Sequence, residues 1–323
     1  MLQPGSLITV FGGSGFVGRH TVRLLAKRGF RVRVAVRRPD LAGHLQPMGS
    51  PGQIMPLQAN LRDAASVRNA VAGAAAVVNL VAVLAETGRQ TFAALHINGA
   101  RAVAHAAHEM GIANFVHVSA IGASNRSPAR YAQTKAAGES AVLGECPSAV
   151  ILRPSIIFGP EDQFFNRFAG VAQSAPVMPS IGGGTRFQPV YVGDVAAAIV
   201  AVLDGHAKPG MVYELGGPDV FTFRELLRKT MVWSGRTRPL LPVPMWAAKI
   251  GAALTKPLPI AWRPLTVDQV RSLAIDSVVS RQAANELRTL AGLGIAQAQS
   301  IDSIVPAYLE RFKANGQYAH YRD

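Results

Sequence analysis

One cysteine, Cys146, stands in 323 residues. A single thiol excludes an intramolecular disulfide, and with it the small secreted scaffolds that depend on such bonds. A reducing compartment follows, and Cys146 reads as a buried structural thiol. Acidic residues are also scarce: 19 Asp and Glu face 33 Lys and Arg, for a formal net charge of +14. The deficit is concentrated in residues 1–130, which hold 14 basic and 4 acidic side chains. Such a surface suits nucleic acid, anionic lipid, an acidic protein or an anionic cofactor. The arginines are scattered, without a dense run or interleaved aromatics, which argues against a nucleic-acid module. No apolar run reaches 18 residues, so no transmembrane helix is expected. The first strand-like run starts at Leu7, so no secretory signal is expected before it. These absences together give a cytoplasmic expectation. Apolar residues, at 49%, are those of a globular chain.

What is present is a regular alternation. The runs 7–11 (LITVF), 31–36 (RVRVAV), 54–58 (IMPLQ), 76–82 (AVVNLVA), 115–119 (FVHVS) and 149–154 (AVILRP) read as strands. Helix-like segments lie between them, to about Arg28 after the first strand, then at about 63–72, 97–110 and 129–144. Strands alternating with helices of this length predict βαβ units: an α/β protein with a Rossmann-type, doubly wound parallel sheet. After Pro154 the pattern changes to Gly, Pro, Phe and Ser, with short strands at 189–192 and 212–217. Residues 1–154 are therefore expected to form a dinucleotide-binding domain and 155–323 a smaller α/β lobe for substrate or partner, with segments such as 189–217 returning to the first. Asp194 is expected as the N-cap of VAAAIVAVL, and Thr222 with Glu225 as a capping box.

Gly12, Gly15 and Gly18, with Ser14 and Phe16 between them, follow the first strand and open a helix. In that context the glycines let backbone approach a pyrophosphate, and the helix N-terminus offers it free N–H groups. The second strand ends in Arg37 and Arg38, where an acid would favour NAD and an arginine a 2′-phosphate. NADPH is thus expected over NAD. Asn60 and Leu61, after the third strand, are placed to meet the adenine.

Tyr131 and Lys135, in YAQTK, share a helix face at i and i+4. The pair is either an accident of a polar face or a proton-transfer pair, in which the ammonium lowers the phenol pKa. Ser119, ending a strand twelve residues upstream, is suited to hold a carbonyl or alcohol beside Tyr131. Together, GGSGFVG, Ser119 and YAQTK resemble the short-chain dehydrogenase/reductase superfamily in its extended or atypical branch. The resemblance implies that Tyr131 is the acid/base, that Lys135 binds the nicotinamide ribose, that Ser119 orients substrate, and that Asn98 of HINGARAV joins the proton relay. The stretches HLQPMGSPGQIMPL, FVHVSA, RPSIIFGPEDQFFNRFA and QPVYVGDVA are similar to the NADPH-binding accessory subunits of respiratory complex I (NADH:ubiquinone oxidoreductase). That narrower resemblance implies a structural NADPH, complex I subunits as partners, and a peripheral place at the cytoplasmic face of the inner membrane in a bacterial relative. It leaves open whether a substrate is turned over, as by an NADP-dependent oxidoreductase or epimerase.

Residues 239–262 are mostly apolar but broken by prolines, Lys249 and Lys256. Trp246, Ile250, Ala253 and Leu254 fall on one helical face, either an interfacial helix or an ordinary core helix. Arg153 is suited either to an anion or to an acidic partner. His105 and His108, three apart, make a poor metal site, and no metal is expected.

Overall fold

A computed structural model describes residues 2–255, 265–314 and 316, so the end of the apolar segment, from Lys256 to Trp262, lies outside the described residues. The chain divides into two compact units. The first is Met1–Pro154 with Val192–Leu215 and Val279–Ala296; the second is Ser155–Tyr191, Gly216–Val278 and Gln297–Asp323.

The first unit is built on a parallel sheet. Its strands are β1 (Leu7–Phe11), β2 (Arg31–Val36), β3 (Ile54–Gln58), β4 (Ala76–Asn79), β5 (Phe115–Val118), β6 (Val150–Pro154) and the later strand Val212–Leu215. Across the sheet the order is Val212–Leu215, β6, β5, β4, β1, β2, β3. Every pairing is parallel, which is the Rossmann arrangement expected from the sequence. The helices are α1 (Phe16–Lys27), α2 (Ala64–Val71), α3 (Ala100–Glu109) and α4 (Arg130–Glu145). Successive side chains alternate across a strand, so each strand feeds two cores. Phe11, Val77, Phe115 and Ile151 share one core with Val67 and Val71 of α2 and with Val103 of α3. Two edges are closed by chemistry. Pro56 in edge strand β3 removes a backbone donor. At the other edge, the Glu214 N–H donates to the Arg288 carbonyl, and the Arg288 guanidinium donates to the Val212 carbonyl.

The local expectations need two corrections. Segment 97–110 is not one helix: a π-helix, Ala93–Gly99, leads into α3. Asp194 is not an N-cap either. The helix starts at Val192, so Asp194 sits in its first turn, where a carboxylate still complements the free N–H groups. The Thr222–Glu225 capping box is present in both directions.

The second unit has an aromatic core: Phe158, Phe165, Phe187 and Phe223 pack with Leu226, Leu227 and Val305. Asp162 organises the GPEDQFFNRF loop by accepting from the N–H groups of Phe164 and Asn166 and from the Tyr308 hydroxyl. Helix Met245–Leu254 buries Ala248 and Ala252 against Ile181 and Val270. Its other face is bare: Trp246 is 68% exposed, Ile250 53% and Leu254 74%.

Candidate dinucleotide site

The loop between β1 and α1 is shaped by what its glycines lack. Gly12 has φ +78°, a left-handed conformation that other residues adopt with strain. A Cβ on Gly18 would lie 2.3 Å from the Gly12 carbonyl oxygen, so the first turn of α1 closes onto the loop only with glycine there. Gly15 is the N-cap and brings no side chain to the first-turn N–H groups, and no acid lies in that turn. The helix start is thus open to an anion. Ser14 in the same loop and Phe16, the first residue of α1, stand half-buried.

The two arginines after β2 are not equivalent. Arg38 is committed to Asp40, donating from Nε at 3.0 Å and from Nη2 at 2.7 Å. Arg37 is exposed and forms no hydrogen bond or ion pair with a described residue. The Asn60 side-chain oxygen accepts from the Arg62 N–H at 3.2 Å, and Leu61 is buried against Gly99.

Ser119, Tyr131 and Lys135 occupy the same unit. Lys135 is buried, and its Nζ donates to the Val118 carbonyl at 2.7 Å. Burial outweighs the attraction of Glu139 and pulls its pKa down to about 8. Tyr131 departs from the sequence argument: burial pushes its phenol up to about 12, where a lowering by the ammonium was expected. The Ser119 hydroxyl is buried with no hydrogen-bond partner among the described residues, as is His117 Nε2. These two residues alternate with Val118 and so share a sheet face. A buried hydroxyl without a partner is an exception in folded proteins and fits a ligand oxygen.

Asn98 stands apart. It is exposed, and no described residue bonds its side chain. The residue beside Tyr131 is His96, with ring centroids 5.4 Å apart, and Phe92 at 5.9 Å completes the packing. Sequence reasoning missed His96; the one signal was a histidine inside the apolar run TFAALHI, two positions before Asn98. Arg153 takes the acidic partner, bonded through Nε to Glu139 at 2.9 Å and 3.8 Å from Glu214. His105 does have carboxylates beside it, Glu145 at 2.9 Å and Glu109 at 3.4 Å, yet no group of three ligands suited to a metal occurs among the described residues.

A glycine loop on a parallel sheet, with serine, tyrosine and lysine at these positions, defines an NAD(P)-binding protein of the extended short-chain dehydrogenase/reductase class. Residues 8–216 match the NAD dependent epimerase/dehydratase family, and the chain belongs to it and to the family of the complex I subunits that follow. It is 41% identical over 293 residues to NADH dehydrogenase (ubiquinone) 1 alpha subcomplex subunit 9, mitochondrial, of Arabidopsis thaliana, covering 86% of this chain and 72% of the relative. It is 30% identical to the NADH-ubiquinone oxidoreductase 40 kDa subunit, mitochondrial, of Neurospora crassa, covering 97% and 81%. The same fold occurs in the NADPH-dependent quinone oxidoreductase QOR2 of Escherichia coli, with TM-score 0.72 and 21% identity over 94% of this chain and 99% of that one.

Proposed function

We propose that the protein is an NADPH-binding accessory subunit or assembly partner of NADH:ubiquinone oxidoreductase, held at the cytoplasmic face of the inner membrane. The observation that carries this reading is identity to two such subunits, extending over 86% and 97% of this chain and so through both compact units. Arg37 supports NADPH over NADH: it is an exposed guanidinium with no acid bonded to it among the described residues, after the second strand, where a 2′-phosphate would be read. When bound, the dinucleotide supplies a hydride-bearing nicotinamide. The chain's own residues bind its pyrophosphate at Gly12–Gly18, read its 2′-phosphate with Arg37, and orient its nicotinamide end with Ser119, Tyr131 and Lys135. The bare face of Trp246, Ile250 and Leu254 supports membrane contact: no helix among the described residues is long and apolar enough to cross a bilayer, but this one suits the interface. Native mass spectrometry of the protein isolated from membranes tests the reading. Co-purification of NADPH with complex I subunits is expected; a protein without dinucleotide, recovered wholly in the soluble fraction, overturns it.

A second reading, an NADP-dependent oxidoreductase or epimerase, is favoured by the unpartnered Ser119 hydroxyl in the same unit as Tyr131 and Lys135. In that reading Tyr131 moves the proton at its phenol oxygen while Ser119 holds the substrate oxygen. Bound NADPH that no panel of quinones, ketones and sugar nucleotides oxidises would count against it.

A further inference from the structure

His96 lies in the π-helix Ala93–Gly99, a local widening that recurs at functional sites. The Val83 N–H donates to His96 Nε2 at 3.1 Å. A backbone N–H only donates, so Nε2 accepts and the ring proton sits on Nδ1. Nδ1 lies 3.1 Å from Thr134 Oγ1, and the Thr134 hydroxyl donates to the Tyr131 carbonyl at 3.0 Å. The bonds therefore run in one direction: Val83, His96, Thr134, Tyr131. Each end of this chain matters. Leu80 and Val81, just before Val83, wall the glycine loop: a Cβ on Gly12 would meet Val81 Cγ2 at 3.3 Å. Tyr131 lies in the first turn of helix α4. The approach of α4 to the π-helix is itself built in, because a Cβ on Gly138 would lie 2.0 Å from the His96 carbonyl oxygen.

We infer that His96 is a positioning residue that bolts the loop 80–83 to the first turn of α4, and so sets the width of the slot for the nicotinamide end of the dinucleotide. Only the neutral ring does this, since a second ring proton would face the Val83 N–H. Burial and the Lys135 charge keep it neutral, with a pKa of about 3. Stacking on Phe92, at 5.3 Å between centroids, holds the ring plane.

The inference rests on the dinucleotide reading, and the test separates the two. NADPH and 2′-phospho-ADP-ribose, which lacks the nicotinamide, are titrated against the full chain and its variants. His96→Phe keeps the ring and loses both bonds. Thr134→Val keeps the Val83 bond and loses the two that the Thr134 hydroxyl makes. His96→Asn offers an amide N–H where Nδ1 stood. For His96→Phe we expect NADPH affinity to fall roughly tenfold or more (a factor of ten is about 1.4 kcal/mol), the emission of bound NADPH to shift, and 2′-phospho-ADP-ribose affinity to hold within about twofold. Thr134→Val shows the same pattern more weakly, and His96→Asn restores part of the loss. An unchanged NADPH affinity and emission, or equal losses for both ligands, overturns the role of His96 alone. Failure of the unmutated chain to bind either ligand overturns both readings.

Discussion

At the scale of single residues, the site is asymmetric in ways that residue type does not disclose. Arg37 and Arg38 are chemically identical, but Asp40 neutralises one of them. Arg37→Ala is therefore expected to weaken NADPH binding about 10- to 100-fold, the range of a charge-assisted hydrogen bond of about 1.5–3 kcal/mol. NADH binding should change little, and Arg38→Ala should do less to either. Isothermal titration with both dinucleotides checks this; equal losses for NADPH and NADH in Arg37→Ala would mean that the 2′-phosphate is read elsewhere. Lys135 gives a prediction with two signs. Its pKa falls from 10.5 to about 8 on burial, so between those values the unfolded chain holds a proton that the folded chain has released. The unliganded fold accordingly gains stability from this group as pH rises through that window. If Lys135 binds the dinucleotide as proposed, affinity should move the other way, declining above about pH 8 as the ammonium loses a donor. Fluorescence titrations of NADPH across this range, beside Lys135→Met as a weaker but pH-flat control, check the sign.

At the scale of elements, the strands and helices of the first unit were legible because each is periodic and bounded by glycine, proline or a capping residue. The six expected strands all appear, the longest overreach being 76–82, which pairs only to Asn79. The glycine loop was legible for the same reason: its chemistry is local. What escaped the sequence is contact between elements. His96, two residues from the motif residue Asn98, packs its ring against Tyr131 and bonds Thr134, which the linear pattern does not disclose. A π-helix turns the chain by a different angle per residue, so a pattern counted at 3.6 residues per turn does not give the facing side chain. The expected lowering of the phenol pKa rested on a charge close in sequence, whereas burial is the cause that acts on it in the fold, and burial raises it. Gly138 shows the same divide. In an isolated helix Gly→Ala stabilises by about 1 kcal/mol. Here the new methyl meets a backbone carbonyl at 2.0 Å, which cannot swing away as a side chain can. Gly138→Ala should therefore destabilise by about 1–3 kcal/mol, the usual cost of overpacking. Thermal unfolding reads this directly; an unchanged or raised Tm would show that α4 and the π-helix separate freely.

At the scale of the whole molecule, charge and bare apolar surface need a common explanation. The chain carries a formal net charge of +14, and a folded protein that met only water would gain nothing from leaving Trp246, Ile250 and Leu254 uncovered on one helix face. Their spacing at i, i+4 and i+8 makes a stripe, and Lys249 is also exposed on that helix. Burying a side chain of this kind contributes about 1.5–3 kcal/mol, and cationic side chains add attraction to an anionic surface that fades with salt. Stable membrane association generally takes two such signals rather than one. The sequence left this helix between an interfacial and a core role. The structure buries Ala248 and Ala252, the small residues, and leaves the large ones outside. A triple variant, Trp246→Gln with Ile250→Gln and Leu254→Gln, should keep its fold and its dinucleotide, since these side chains are exposed and the glycine loop belongs to the other compact unit. Co-sedimentation with phosphatidylcholine vesicles, with and without an anionic lipid, should fall about tenfold or more for the variant. Added salt should weaken the parent chain on anionic vesicles and leave the variant little to lose. If the variant sediments as the parent does, the stripe does not face lipid.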